Sequence, residues 1–276
     1  MTGLRYVYAV CRPFGTPLQA ELTGVGGAPA GLLHHHGLVA VVSTVPEADF
    51  GEEELKAHLE DLDWLAATAR AHQGVVDALT TVTTPLPLRL ATVFRDDSAV
   101  RVMIEAREDH FRALLDRLDG RVEWGVKVYA EETAEFAASA PAAPAKPASG
   151  RDYLRQRRAR GQAKEETWQR AERFAHALHQ RLAGRAEDFR LHPPQNSALS
   201  GTPGLNVLNA AYLVSRAHSE EFVELVDRTK DEEPGFRVEL TGPWAAYSFT
   251  GETGETGDAA GTGGTGGAAD AAEGVS

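Results

Sequence analysis

The chain has 276 residues, 42% of them hydrophobic and 25% charged, with a formal net charge of −12. That composition belongs to a globular protein long enough for two domains, and its acidity argues against general nucleic-acid binding, where phosphate contacts supply most of the affinity. Cys11 is the single cysteine, which excludes a disulfide framework and a cysteine-based metal cluster and fits a reducing compartment.

The opening MTGLRYVYAVCRP lacks a long apolar segment and reads as a strand over Leu4 to Val10, not as a signal peptide. No apolar run in the chain approaches the ~18 residues of a membrane span, so a cytoplasmic protein is expected. Cys11, at the end of the strand, has no recognisable base beside it and reads as packing. Gly24, Gly26, Gly27 and Gly31 make the next stretch glycine-rich, but the strand and helix that a dinucleotide fingerprint requires do not flank it. His34, His35 and His36 follow. Neighbouring side chains in extended backbone point to opposite faces, and no cysteine or paired carboxylate is close in sequence. The triplet is therefore read as a solvated loop entering a strand, with no metal.

That second strand, Gly37 to Val45, is apolar on both faces, as for burial on both sides. Asp49 and Glu52 resemble a capping pair for a helix carrying Leu55, Leu59, Leu62, Ala66 and Ala69 at helical spacing. Asp61 and Asp63 on that helix do not share a face and make a poor acid–base pair. Pro85 and Pro87 precede a third strand, Leu88 to Phe94. A helix from about Ser98 then points Ile104, Phe111, Leu114, Leu115 and Leu118 inward until Gly120 ends it.

In Arg121 to Tyr129, Val122, Trp124, Val126 and Val128 alternate with Glu123, Gly125 and Lys127, which predicts a strand with one face in a core. Residues 134–150, with Pro141, Pro144 and Pro147 among alanines and serines, form a linker or long loop. Arg151, Arg155, Arg157, Arg158 and Arg160 make a basic run at the start of a helix whose inner face is Trp168, Ala171, Ala175, Leu178 and Leu182. The run has three readings: a solvated helix face, a docking surface for an acidic partner, or a nucleic-acid contact. Asn206 to Val214 is a strand, Ser219 caps a helix carrying Phe222, Leu225 and Val226, and Phe236 to Leu240 is a last strand. With Asp188 to Leu191 as a short strand, the order is β-α-β-β-α-β, the ferredoxin-like split βαβ.

The expected fold is thus α+β with two domains. Residues 1–120 form an N-terminal domain, and 121–249 form a ferredoxin-like domain that contains the Pro/Ala-rich loop 134–150. Residues 250–276 are an acidic tail of Gly, Ala, Thr and five acids, with too little apolar surface to order. Before the tail stands TGPWAAYSF. Gly242-Pro243 is expected to turn the chain out of the last strand and Trp244 to be largely buried. Trp244, Tyr247 and Phe249 then latch back onto the domain, simply complete its core, or stand out as a hook for a partner.

Taken in order, YVYAV, GLVAVVSTVP, PLRLATVF, VEWGVKVY, the helix start Arg151-Asp-Tyr-Leu-Arg155 and ELTGPWAAYSF resemble the gas vesicle protein F/L family (GvpF/GvpL) over about residues 4 to 249. The family usually ends in TGPWPPYSF, where this chain has Ala245 and Ala246. The resemblance implies a non-enzymatic accessory or minor structural protein of gas vesicles, acting in their assembly. It implies binding to the small, very apolar principal shell protein and to other gas vesicle accessory proteins, with self-association, so as to prevent shell-protein aggregation or nucleate the shell. It implies no cofactor and no nucleic-acid or membrane partner, and two α+β domains with the second ferredoxin-like. The candidate partner-binding residues are Arg155, Arg157, Arg158, Trp244, Tyr247 and Phe249. A ligand-binding or catalytic protein on the same scaffold is the alternative, because ferredoxin-like domains host many functions. A concave pocket with convergent polar groups would favour it; an exposed apolar groove or open strand edge would favour an interaction protein.

Overall fold

A computed structural model describes residues 3–16, 18, 22–131, 150–194, 204–230 and 232–251. Of the linker expected over 134–150 and the tail expected over 250–276, residues 134–149 and those beyond Gly251 lie outside the described residues, and Gly150 already opens a helix. The chain is α+β, built on two antiparallel sheets.

In the first sheet β1 (Gly3–Cys11) is central. It pairs with β3 (Leu38–Pro46), which pairs with β2 (Gly31–His35), while β4 (Leu86–Pro87) and β5 (Val93–Phe94) add to its other side. Helices cover both faces, which is why β1 and β3 read as unbroken apolar runs. Tyr6, Tyr8, Val41 and Val45 pack with Val75, Val76 and Leu79 of α3 (Leu62–Thr80). Val7, Val10 and Ala40 pack on the opposite face with Val100 and Ile104 of α4 (Asp97–Ala106) and Phe111 and Leu115 of α5 (Glu108–Leu118). Val7 and Val10 share a face despite their odd spacing because a bulge between Val7 and Ala9 shifts the phase of β1 by one residue. The glycine-rich stretch is structural. The Tyr8 hydroxyl accepts from the Val25 amide (2.8 Å) and donates to Ser43 Oγ (2.9 Å), and a Cβ on Gly24 would stand 2.0 Å from that hydroxyl.

Four expectations fail in this half, and the first is the single helix from Ser98 to Gly120, which is interrupted at Arg107 (φ −126°) and divides into α4 and α5. The helix predicted from Glu52 breaks into α1 (Glu47–Phe50), α2 (Glu52–His58) and α3, because the Asp61 carboxylate accepts from the amides of Asp63 (2.9 Å) and Trp64 (3.2 Å) and starts a new helix. Leu59 and Leu62 are exposed, and Thr68, His72, Val75, Val76 and Leu79 face inward instead. Of the strand expected over Leu88 to Phe94, only Val93 and Phe94 pair with β1 as a strand, while Leu86 and Pro87 pair with it just before the expected start. Between them the chain turns through Ala91, at φ 62°, whose amide donates to the Tyr6 hydroxyl (3.0 Å). The histidines are not a loop: His34 and His35 belong to β2, and His36-Gly37, at φ 49° and 68°, make the two-residue turn into β3.

The second sheet comprises β6 (Arg121–Ala130), β7 (Asp188–Leu191), β8 (Leu205–Ser215) and β9 (Phe236–Trp244), with α6 (Gly150–Ala183) and α7 (Ser219–Thr229) in the connections. Its order, β7-β8-β6-β9 with every pair antiparallel, is the ferredoxin-like split βαβ. Val122, Trp124, Val126 and Val128 face one core with Ala171, Ala175, Leu178 and Leu182 of α6 and Phe222 and Val226 of α7, as the alternation predicts. Two details differ. Trp168 is exposed, its indole N–H donating to Glu172 (2.7 Å). The Ser219 hydroxyl donates to the Ser215 carbonyl and accepts from the Trp124 indole (both 3.3 Å) instead of capping α7.

The segment after β9 also departs from expectation. The strand runs through Gly242-Pro243 as a bulge, and Trp244 still pairs with Glu123. Gly242 sits at φ 123°, where an added Cβ would lie 2.8 Å from the Glu123 carbonyl oxygen, so only glycine fits. Trp244, at the end of an edge strand, remains 37% exposed. The residues beyond it are the buried ones. Ala245 and Tyr247 join the α3 side of the first sheet, and Ala246 and Phe249 join the α4–α5 side, next to Ala211 and Leu213 of β8.

Candidate functional site

The latch is fastened by a buried carboxylate. Glu123 accepts from the Ser248 amide and from the Ser248 hydroxyl, both at 2.8 Å, and burial raises its pKa against the lowering effect of those bonds. On the α3 side Tyr6 and His72 Nδ1 lie 3.0 Å apart, and burial holds the His72 pKa down at about 4, so its ring is neutral. The Tyr247 hydroxyl is buried in the same region and its pKa is pushed up by burial. The ion pair Arg117–Asp188 and a bond from Arg216 to the Thr80 carbonyl (3.1 Å) tie the first half of the chain to the second.

Docking of the latch leaves a groove of about 810 Å³ at the edge of the first sheet. One wall is the turn between β4 and β5, with Leu88 and Phe94. A second is the joint where α4 gives way to α5 at Arg107, with Met103, Phe111 and Leu114. Tyr247, Thr250 and Gly251 close it. Among the described residues that line it, Arg89 and Arg107 are cationic, His110 and Tyr247 are titratable, and none is a carboxylate. The Arg107 guanidinium rests 5.0 Å above the Phe111 ring, keeping its charge at the rim while covering apolar surface. Such a mixed surface, with apolar side chains beside cationic and polar ones, suits an amphipathic segment with neutral or acidic flanks.

The structure disperses the residues singled out from sequence. Arg155, Arg157 and Arg158 lie exposed on the first turns of α6, with Tyr153 and Leu154 also exposed, and they do not line the groove. Up to Arg170 that helix buries none of its described side chains. Trp244 is a partly exposed edge residue, Tyr247 lines the groove, and Phe249 is fully buried, which removes it as a surface that a partner touches. Leu88, Phe94, Met103, Arg107 and His110 went unrecognised; the proline-flanked PLRLATVF was the one signal, and it was read as a strand. Cys11 is buried, its thiol pushed up to about 12. His35, His36 and Glu105 are the described residues whose side chains converge as metal ligands would. Among the described residues no helix is long and apolar enough to cross a membrane.

A ferredoxin-like sheet latched by its own C-terminal segment onto a second α+β sheet is the architecture of this chain, and its overall fold is seen in solved structures. GvpF from Anabaena sp. PCC7120 matches with a TM-score of 0.65 at 16% identity, over 90% of this chain and 96% of that one. GvpF from Microcystis aeruginosa matches with a TM-score of 0.64 at 18% identity, over 91% and 100%. At those identities the likeness is one of fold. The sequence goes further: the family model described as gas vesicle synthesis protein GvpL/GvpF matches residues 4–251, and the chain belongs to that family. It is 58% identical over 249 residues to gas vesicle protein L of Streptomyces sp. (strain CB03234), covering 90% of this chain and 93% of that protein. Membership gives it a role in gas vesicle formation.

Proposed function

We propose that this protein acts in the cytoplasm during gas vesicle formation by binding the principal shell subunit and keeping it from aggregating before it joins the shell, in company with other gas vesicle accessory proteins. A subunit with a water-excluding face and unpaired strand edges is an aggregation hazard until it is incorporated, and a partner that covers the apolar face transiently removes the hazard. The groove carries this reading. PLRLATVF and TGPWAAYSF, two of the stretches most specific to the family resemblance, are far apart in sequence and both border it. The exposed Arg155, Arg157 and Arg158, beside Tyr153 and Leu154, supply a second, electrostatic contact. No catalytic step is invoked. The division into domains over 1–120 and 121–249 belongs to the same proposal, with the latch as the clasp between them.

The test is capture of the shell subunit by the full chain. Leu88→Gln with Met103→Gln should abolish capture while lowering the melt only in part, since both side chains are partly buried against the core. Reversing Arg155, Arg157 and Arg158 to Glu should weaken it and flatten its salt dependence. Undiminished capture by a normally folded groove variant would refute the groove as the docking site.

A further inference from the structure

We propose that His35, His36 and Glu105 form a binding site for a divalent first-row transition-metal ion, zinc by preference, at the turn between β2 and β3. Extended backbone would send neighbouring histidines to opposite faces, but His36 is not extended. At φ 49° it lies in the left-handed region, paired with Gly37 at 68° in the hairpin turn. That conformation swings its imidazole back beside the ring of His35, with centroids 4.5 Å apart and planes inclined by 32°. Helix α4 packs against β2 and brings Glu105 to the same place. Glu105 Oε1 is 2.6 Å from His35 Nε2 and 3.9 Å from His36 Nε2, and one ligand atom from each of the three residues lies within 4.8 Å of the others. Tetrahedral zinc, with bonds of about 2.0–2.1 Å, sets its ligand atoms roughly 3.3 Å apart, a separation that these distances bracket. A bound ion would take the place of the His35–Glu105 hydrogen bond and draw His36 inward by a small side-chain rotation.

The outer layer that such a site needs is already built. His36 Nδ1 lies 2.7 Å from Glu108 Oε2. An ionised carboxylate only accepts, so Nδ1 carries the proton and Nε2 keeps its lone pair on the side of Glu105. Arg112 holds Glu108 in turn, at 2.9 Å, and donates to the carbonyl of His36 itself at 2.5 Å. The backbone speaks for the same site. The first position of this turn type ordinarily carries Asn, Asp or Gly, and a histidine held there is strained; strain of that kind is retained where the surroundings use it. Two imidazoles and one carboxylate leave one position for water and suit zinc, nickel or copper, whereas calcium and magnesium require oxygen donors throughout. The ion would pin the hairpin turn to α4.

Calorimetric titration of zinc chloride into the untagged, metal-free full chain, with thermal melts in parallel, tests the site. The expected result is a single zinc per chain and a melting temperature raised by several degrees, with magnesium producing neither. Glu105→Gln and His35→Ala should weaken zinc binding about tenfold or more. His34→Ala, on the other face of β2, should bind like wild type. His36→Asn suits the turn, so it should melt higher than wild type without metal and yet lose zinc. Absence of zinc binding by the wild-type chain would overturn the proposal, as would equal loss in His34→Ala or retention in His36→Asn.

Discussion

The two sheets differ in what closes their cores. The C-terminal sheet is enclosed by α6 and α7, the helices that connect its own strands, so its core is complete within one stretch of chain. The N-terminal sheet is not self-sufficient: Ala245 and Tyr247 finish one face, and Ala246 and Phe249, with Ala211 and Leu213 of β8, finish the other. A core closed by neighbouring sequence is self-contained, whereas one closed from the far end of the chain makes the first half depend on the second. The dependence also shapes the groove, since the segment that completes the core supplies its last wall.

Phe249→Ala strikes that dependence hardest. Emptying a fully buried aromatic site costs about 3–5 kcal/mol, against a typical domain stability of ~5–15 kcal/mol. Amide exchange should accelerate in β1 and β3 much more than in β6 and β8; equal acceleration would mean that the sheets open as one unit and that the asymmetry has no energetic weight.

His72 gives a somewhat smaller effect, confined to acid. Its folded pKa of about 4 lies below the ordinary 6.5, so the unfolded chain binds the proton more tightly. Its contribution is intact above pH 6.5 and is lost as pH falls from there towards about 4. The full loss is on the order of 3 kcal/mol. Glu123 has the opposite sign: its raised folded pKa adds stability as pH falls from that raised value towards the ordinary 4.5. Denaturation across this range should show the wild type weakening on acidification and His72→Gln weakening less. Parallel curves for the two proteins would contradict a neutral His72 at the seam.

Trp244→Ala should cost only about 1 kcal/mol, because the ring is partly in water at an edge strand and loses part of what full burial would contribute. A loss comparable to that of Phe249→Ala would restore Trp244 as the anchor of the latch. The smallest effect is a gain. Ala246 has a φ of −78°, within the range of proline, so Ala246→Pro should stabilise by roughly 0.4–1 kcal/mol through the unfolded chain. A lower melting temperature would show that the buried site has no room for the ring.

Much of the C-terminal half was legible because its signals are local. Alternation over Val122 to Val128 marks the inner face of β6, the spacing from Ala171 to Leu182 marks the buried stripe of α6, and the order of elements implies the split βαβ. The N-terminal half was less so. Asp61 looked like a residue within a helix and is instead the cap that starts a new one, because one Asp side chain can bond its own downstream amides and the apolar spacing runs straight across the break. PLRLATVF has the composition of a strand, yet it turns at Ala91 and uses its backbone to meet the tyrosines of β1.

The sequence by itself determined the α+β class, both main strands of the first sheet, the ferredoxin-like order of the second and the family resemblance, since periodicity, punctuation by glycine and proline, and motif order are written residue by residue. Tertiary structure alone decided that Trp244 stays at an edge while Phe249 is buried, that Glu105 meets His35 and His36, and that the β4–β5 turn, the α4–α5 joint and the latch enclose one groove. Each of those outcomes depends on which distant side chain arrives to exclude water or supply a partner, and no local pattern in the chain encodes that arrival.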